Sequence, residues 1–232
     1  MSERSSAAQS EKDFWNVRGD ELAASYDQLA EEDYDSIFQR WTMRPGATDL
    51  VLEIGSGTGA FGSRIQRRLG ARIIGLDLAH AMLRHSSMPS VVSNGQSLPV
   101  PDATFDKIVG CAVLHHLPDL QKALAEIVRC LKPSGTCLFF EPNLWHPQRR
   151  LCMNTKWWCP GVYSPEEQAL SPRKLPRLML RSGFDEPRLG FFSPRWRNPG
   201  FAARVQRFAS EWAPKALVKV SHSWFVVEAR RR

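Results

Sequence analysis

The sequence lacks any apolar run long enough to cross a membrane. Such a span takes roughly 18 or more apolar residues, and the best run here, residues 108–114, is far shorter. Residues 1–13 are polar and lack the apolar stretch of a secretory signal. Internal repeats and low-complexity tracts are also absent. We therefore expect a chain without a membrane span or secretory signal, and repeat architectures are excluded.

Cysteine is scarce and shows no metal-ligand spacing. The five cysteines form no Cys-x-x-Cys pair, and an odd number cannot all pair with one another: Cys111, Cys130, Cys137, Cys152 and Cys159. Reduced thiols are typical of the cytosol. The sequence thus predicts a cytoplasmic protein without a metal site, and it gives no sign of the oligomeric state.

Charge is unevenly distributed along the chain. The net charge is +7, yet from Leu144 onward 17 Lys and Arg oppose six Asp and Glu, and this part also holds six of the eight tryptophans. A solvated basic face, an anionic small-molecule or lipid-linked acceptor, and RNA would each account for the pattern. No known RNA-binding module is visible, which argues against a nucleic-acid partner.

Short apolar runs alternate with helical periods after Pro45-Gly46. Strands are predicted at residues 50–54, 72–78, 105–113 and 136–140, and helices at 61–70, 79–85 and 120–131. Strands alternating with helices predict an α/β fold, in which a parallel sheet carries helices on both faces.

The flanking regions are predicted to cover this sheet. Residues 1–44 form a frayed tail to Asp13 followed by lid helices, in which Tyr34, Ile37, Phe38 and Trp41 share one helical face. Residues 45–232 form the main domain, with cap insertions near 144–170, which is rich in loops, and near 194–215. Further helices are expected at 171–183 and 201–212, and strands at 189–192 and 217–227.

A glycine-rich loop follows the first predicted strand. Gly55, Gly57 and Gly59 alternate there, and a helix begins at once, so the backbone can approach a ligand closely. Asp77 ends the next strand, where a carboxylate can accept both hydroxyls of a ribose. Glu53, inside the strand, suits a cationic amino group better than a pyrophosphate. These residues predict a nucleoside site, and a tight turn without a ligand is the alternative. Glu53 disfavours a nicotinamide-dependent oxidoreductase, because its carboxylate would repel the pyrophosphate of the dinucleotide.

Three further motifs follow in order, at residues 94–106, 114–119 and 131–135. Together with the glycine loop they make the sequence resemble the class I S-adenosylmethionine-dependent methyltransferases, in particular the small-molecule branch, over roughly residues 26–141. The resemblance implies S-adenosylmethionine as cofactor. It also implies a Rossmann-like, seven-stranded, mostly parallel sheet with helices on both faces, whose last strand is antiparallel.

The resemblance also implies which residues contact the cofactor. In the family the glycines lie against the methionine part, the carboxylate after the second strand holds the ribose, and the segment after it flanks the adenine. Asn94 stands where Asp is usual and would accept a bond from the adenine amino group. The residues carried over by motif are Tyr26, Glu53, Gly55, Ser56, Gly57, Gly59, Asp77, Leu78, Met82, Asn94, Gly95 and Cys111.

Candidate catalytic residues follow the fourth and fifth strands. An oxygen acceptor of high pKa needs a base, and a neutral imidazole of His115 or His116 can take a proton near pH 7. Glu141 ends the fifth strand and is expected to orient one of them; His115 is preferred because it is nearer the strand end. Packing roles for the two histidines and a loop-orienting role for Glu141 are the alternatives.

We therefore expect a methyltransferase that acts on a small molecule, at oxygen ahead of nitrogen and carbon. The basic C-terminal part makes an anionic acceptor one expectation. The first rival is an RNA or other nucleic-acid methyltransferase, against which the lack of an Asn-Pro-Pro-Tyr type of motif after the fourth strand counts. The second is a protein that binds S-adenosylmethionine without catalysis.

Overall fold

Seven strands form one sheet in the computed structural model. The model describes residues 3–26, 41–155, 170–185, 187–193 and 217–232, with positions 34, 37, 38, 164, 166–168, 204, 208 and 214. The strands are β1 (Leu50–Ile54), β2 (Arg72–Asp77), β3 (Ser90–Val92), β4 (Phe105–Cys111), β5 (Leu131–Pro142), β6 (Arg188–Phe192) and β7 (Trp224–Arg230).

The strand order is β3-β2-β1-β4-β5-β7-β6. Strands β1 to β5 pair in parallel, whereas β7 runs antiparallel to both β5 and β6. The expected Rossmann-like sheet with an antiparallel last strand is confirmed. Between β1 and β4 the chain changes direction across the sheet, and a crevice opens at the carboxyl ends of strands at such a point.

Helices cover both faces of the sheet. One face packs against α4 and α6 through residues such as Leu124 and Met179, and the other against α2 through Phe61 and Ile65. The helices are α1 (Glu3–Tyr26), α2 (Ala60–Leu69), α3 (His80–Leu83), α4 (Leu120–Cys130), α5 (Pro147–Thr155), α6 (Lys174–Ser182) and α7 (Val218–Ser221), with a 3-10 helix at Leu114–His116.

The N-terminal prediction agrees with the structure at four positions and is wrong for the tail, while most of the predicted lid helix before Trp41 lies outside the described residues. Tyr34, Ile37, Phe38 and Trp41 are all buried in one cluster, as their helical spacing predicts. The predicted frayed tail to Asp13 is wrong, because α1 begins at Glu3.

Helix α1 is held on the fold mainly by polar contacts with α3 and the residues after it. Asn16 Oδ1 accepts the N–H of Ala81 at 3.1 Å, and Asp20 bonds both Arg84 (2.7 Å) and His85 (2.8 Å). The helix has no apolar stripe, which is the usual sequence signal of a packed helix.

Several element boundaries also differ from the prediction. The insertion near 144–170 contains helix α5, the strand predicted from 217 begins only at Trp224 after the short α7, and β3 was not predicted. The predicted insertion near 194–215 and helix at 201–212 lie outside the described residues except at positions 204, 208 and 214. Among the described helices, none combines the length and apolarity needed to cross a membrane.

Candidate active site

A cavity of about 470 Å³ lies at the carboxyl ends of the central strands. Its volume is within the range of small-molecule sites. Most of the predicted site residues line it: Glu53, Gly55, Ser56, Gly57, Asp77, Leu78, Met82, Asn94, Gly95, Cys111, His115 and His116.

Three predicted residues are placed differently. Gly59 and Glu141 are not part of the wall, and Glu141 lies behind His115. Tyr26 is the last residue of α1, and its side chain lies outside the described part of the chain. An aromatic that does line the cavity, Tyr34, is predicted from the sequence only as part of a lid-helix face.

The glycines of the loop after β1 have different roles. Gly55 and Gly57 both have positive φ, +65° and +49°. A Cβ on Gly55 would lie 2.3 Å from Val113 Cγ2, so this glycine is required by the packing of the protein itself. A Cβ on Gly57 would meet only the methyl of Met82, at 3.3 Å. Gly57 is thus the position whose missing side chain leaves space for a ligand.

Asp77 links the loop to the second strand. Its Oδ2 accepts the N–H of Gly57 at 2.9 Å, and its Oδ1 accepts that of Ala79 at 2.8 Å. A carboxylate offers about four acceptor positions, so Asp77 keeps acceptor capacity for a ribose hydroxyl. Burial raises the pKa of Asp77, while these N–H donors oppose the shift.

Glu53 places a buried carboxyl group in the cavity wall. Its Oε2 accepts the N–H of Gly62 at 3.1 Å, and the residue is 2% exposed. Burial raises its pKa to about 8, and the nearby charge of Asp77 adds to the shift. A cation bound beside Glu53 would restore the ionised form. Glu53, Asp77 and the space at Gly57 therefore fit S-adenosylmethionine, which carries an amino group and a ribose.

Asn94 is less available than predicted. Its Oδ1 accepts from the backbone N–H of Gln96 at 2.9 Å and from Gln96 Nε2 at 3.2 Å. These two bonds fill both lone pairs of the amide oxygen, so an adenine amino group would have to share it. Gln96, which sequence reasoning missed, also accepts the N–H of Asp119 at 2.6 Å at the start of α4.

His115 and Glu141 form a buried pair. The chain leaves β4 through Ala112, which has φ +55°. This turn directs the N–H groups of Val113 and Leu114 to Glu141 Oε1, at 3.2 and 2.8 Å. Oε2 of the same carboxylate lies 2.5 Å from Nδ1 of His115. The structure therefore brings together the two residues that the sequence had placed after adjacent strands.

The electrostatics of this pair define one tautomer of His115. Burial and the charge of Arg149 lower its pKa to about 3, so the imidazole is neutral at pH 7. Burial raises the pKa of Glu141, and the backbone N–H groups oppose that shift. The two backbone N–H donors on Oε1 favour the ionised form of Glu141, and an ionised Glu141 can only accept at Nδ1, so the ring proton is assigned there. Nε2 then keeps its lone pair, which faces Glu167 Oε1 at 3.8 Å.

Helix α1 contributes two residues to the cavity that sequence reasoning missed. Glu11 is 2% exposed; its Oε2 accepts from Trp15 Nε1 at 3.0 Å and lies 3.4 Å from Nδ1 of His116. Its Oε1 accepts the N–H of Glu166 at 3.0 Å. The Trp15 ring meets His116 edge on, at 5.2 Å. Helix α1 therefore covers the end of the cavity that is lined by His115 and His116, the histidine end.

The insertion after β5 lines the same end of the cavity, next to the two histidines. Arg149 of α5 forms an ion pair with Glu167, and both line the cavity. Gln168 holds this segment in place, since its N–H reaches the carbonyl of His115 at 2.7 Å and its side chain reaches that of Leu117 at 2.7 Å. No motif marks these residues, and only the general prediction of a cap pointed to them.

Comparisons with known proteins agree with this geometry. A family model described as a methyltransferase domain matches residues 52–139. A probable S-adenosylmethionine-dependent methyltransferase of Mycolicibacterium smegmatis is 32% identical over 179 residues, which cover 71% of this chain and 65% of the relative. A malonyl-[acyl-carrier protein] O-methyltransferase of Serratia marcescens is 34% identical over 125 residues, covering 50% of this chain and 48% of the relative.

A solved structure from Thermotoga maritima has the same fold. It is an S-adenosylmethionine-dependent methyltransferase, described as a possible histamine N-methyltransferase, with a TM-score of 0.69 and 16% identity; the match covers 94% of this chain and all of that one. The chain spans between about half and two thirds of the two curated relatives. The methyltransferase domain matched at residues 52–139, the relatives and the fold together support a class I S-adenosylmethionine-dependent methyltransferase.

Proposed function

We propose that this protein transfers a methyl group from S-adenosylmethionine to a hydroxyl oxygen of a small molecule, with His115 as the base. The observation that carries the proposal is the buried Glu141–His115 pair, whose free Nε2 lies in the wall of the same cavity as Gly57 and Asp77. A packing histidine would not need an oriented carboxylate and a lone pair open to a cavity.

The cofactor half of the cavity would hold S-adenosylmethionine. Gly57 leaves room, Asp77 offers acceptors for the ribose hydroxyls, and Glu53 offers a carboxyl group for the amino group. When bound, the cofactor supplies an activated methyl group on sulfur. The protein's remaining tasks are to align the acceptor and to exclude water.

The acceptor half of the cavity, lined by Trp15, His115, His116 and Glu167, would remove the proton of the acceptor hydroxyl. Nε2 of His115 takes the proton of the acceptor hydroxyl. Because burial and the charge of Arg149 lower the pKa of His115 to about 3, this step depends on the carboxylate of Glu141 at Nδ1, which stabilises the imidazolium that forms. Helix α1, through Trp15, shields this end from solvent. A hydroxyl needs this base more than an amine does, which is why the pair supports oxygen.

The charge of the described wall supports an uncharged acceptor over an anionic one. Beside the histidines Glu11 and Glu167 line the cavity, and Arg149, the one described lining cation, is paired with Glu167. An anion, nucleic acid included, would meet repulsion from these carboxylates. The similarity to a protein named as an O-methyltransferase also supports an oxygen acceptor.

A methyl-transfer assay with matched acceptors tests the proposal. The full chain is incubated with S-adenosylmethionine labelled in its methyl group and a panel of aromatic and aliphatic alcohols, each paired with the corresponding amine and phosphate ester. We expect label in the uncharged alcohols and its loss in His115→Ala. Transfer to amines alone would contradict an oxygen acceptor, and no transfer by a protein that binds the cofactor would favour the non-catalytic alternative. The cytoplasmic location stays a prediction.

A further inference from the structure

A cluster of metal-ligating side chains lies in the histidine end of the cavity. His115, His116 and Glu167 each offer one ligand atom, and these atoms lie within 4.8 Å of one another. We propose that these three side chains bind a divalent transition-metal ion, Zn²⁺ above all. The sequence spacing matches no metal motif, because Glu167 comes from the insertion after β5 while the two histidines follow β4.

The donor set is one that zinc uses in proteins. Two imidazole nitrogens and one carboxylate oxygen form the three-ligand set of open zinc sites, in which a fourth position stays free. Metal–ligand distances of about 2.0–2.2 Å require ligand atoms roughly 3.4 Å apart. His115 Nε2 and Glu167 Oε1 are already 3.8 Å apart, so small side-chain rotations would close the site.

The surroundings of His115 favour its role as a ligand. Glu141 accepts at Nδ1, which leaves Nε2 as the donor to the metal. Such a carboxylate–histidine–metal arrangement orients the ring and raises its basicity. Glu11, whose Oε2 is 3.4 Å from Nδ1 of His116, adds negative charge beside the cluster.

Arg149 competes with the metal ion for the carboxylate of Glu167. It pairs with Glu167 in the metal-free protein, so the metal must displace a guanidinium from one of its ligands. The affinity for Zn²⁺ should therefore rise when this positive charge is removed. This expectation distinguishes a site at Glu167 from nonspecific binding to any exposed histidine.

Metal binding would have a consequence that rests on the proposed function. The metal takes the Nε2 lone pair that His115 needs as a base, so a metal-loaded molecule cannot remove the acceptor proton. Zn²⁺ is then an inhibitor that competes with the acceptor and leaves the affinity for S-adenosylhomocysteine nearly unchanged.

Calorimetric titration of the untagged, chelator-stripped full chain with Zn²⁺ alone tests the site. We expect one tight ion per chain. Glu141→Gln should weaken binding about 10–100-fold, as outer-shell changes do, and His115→Ala or Glu167→Gln should weaken it at least as much. Arg149→Gln should tighten binding, and His80→Ala, which removes an exposed histidine outside the cavity, should change nothing.

Circular dichroism of each variant shows whether it folds. Glu167→Gln is nearly isosteric and leaves the His115–Glu141 pair intact. Equal Zn²⁺ affinity in wild type, His115→Ala and Glu167→Gln would overturn the site, as would the absence of binding. Tight binding that accelerates methyl transfer would support the site but overturn both the inhibition and the role of His115 as base.

Discussion

The two halves of the cavity are assembled in different ways. In the cofactor half the partners are close in sequence: Glu53 reaches Gly62 nine residues away, and Asp77 reaches Gly57 twenty residues away. In the acceptor half His115 pairs with Glu141 across 26 residues, and Glu11 contacts the backbone of Glu166 across 155. Contacts between residues close in sequence can be predicted from a motif, whereas contacts between distant residues depend on the whole fold.

The chemistry of the two halves differs as well. The cofactor half presents mainly backbone and two carboxyl groups whose pKa values burial raises. The acceptor half groups two neutral imidazoles with Glu11, Glu141, Glu167 and Arg149. Changes in the first half should therefore act on cofactor affinity, and changes in the second on the rate.

The strongest consequence of this division concerns His115. His115→Ala should lower kcat by about 10²–10⁴-fold, since the acceptor proton loses its base, while the affinity for S-adenosylhomocysteine stays nearly unchanged. Steady-state rates and calorimetry on the same preparation measure both. His80→Ala, an exposed histidine outside the cavity, is the control. A rate within about threefold of wild type would refute the base.

A substitution at Gly57 is expected to change cofactor affinity, in contrast to His115→Ala, which changes the rate. Gly57→Val should weaken S-adenosylhomocysteine binding by about 10–100-fold or more, because the side chain would fill the space beside Met82. Valine is also strained at φ +49°, so Gly70→Val, at φ +73° in the C-cap of α2, is the matched control for backbone strain. If both folded variants bind like wild type, the loop does not contact the cofactor.

A smaller loss of affinity is expected at Asp77. Asp77→Ala should weaken S-adenosylhomocysteine binding by about 1–3 kcal/mol, since the ribose and the N–H of Gly57 lose a charged acceptor. Asp49→Ala removes a carboxylate that bonds a loop N–H (Gly46) away from the cavity, and it should leave the affinity unchanged. If wild type, Asp77→Ala and Asp49→Ala bound S-adenosylhomocysteine equally well, Asp77 would not be a ligand of the ribose.

The sequence predicted the arrangement of the elements around Glu53, Gly57 and Asp77 for a physical reason. Strand, loop, helix and the carboxylate of Asp77 follow one another along the chain, so their relative positions were already implied by the α/β pattern. It even placed Glu141 near His115, because both follow adjacent parallel strands. The contact of Glu11 cannot be predicted from the sequence, since Glu11 lies in a polar segment without an apolar stripe, and such a segment predicts a tail.

The fine geometry was equally out of reach of the sequence. The three loop glycines look equivalent by their spacing. The structure shows that a side chain at Gly55 would clash with Val113, whereas a side chain at Gly57 would extend into the cavity. The role predicted for Asn94 depends on a lone pair that Gln96 uses. Such competition between neighbours depends on distances of a few tenths of an ångström.

The mildest of these consequences concerns pH and stability. Folding raises the pKa of Glu53 from the ordinary 4.5 to about 8, so the folded protein holds a proton that the unfolded chain releases. Its contribution is complete below pH 4.5 and is lost as pH rises to about 8, with a slope of at most about 1.4 kcal/mol per pH unit. Glu53→Gln should remove this part of the slope in urea unfolding between pH 5 and 8. Parallel curves for the two proteins would mean that Glu53 is ionised in the folded state.

Calorimetric titration of the full chain with S-adenosylhomocysteine and, separately, with NAD tests the central claim most directly. The claim is that the edge formed by Glu53, Gly57 and Asp77 holds the product of S-adenosylmethionine. We predict that one S-adenosylhomocysteine binds per chain, that Gly57→Val abolishes or greatly weakens this binding, and that NAD does not bind. Binding of NAD in place of S-adenosylhomocysteine, or equal binding of S-adenosylhomocysteine by wild type and folded Gly57→Val, would contradict the account.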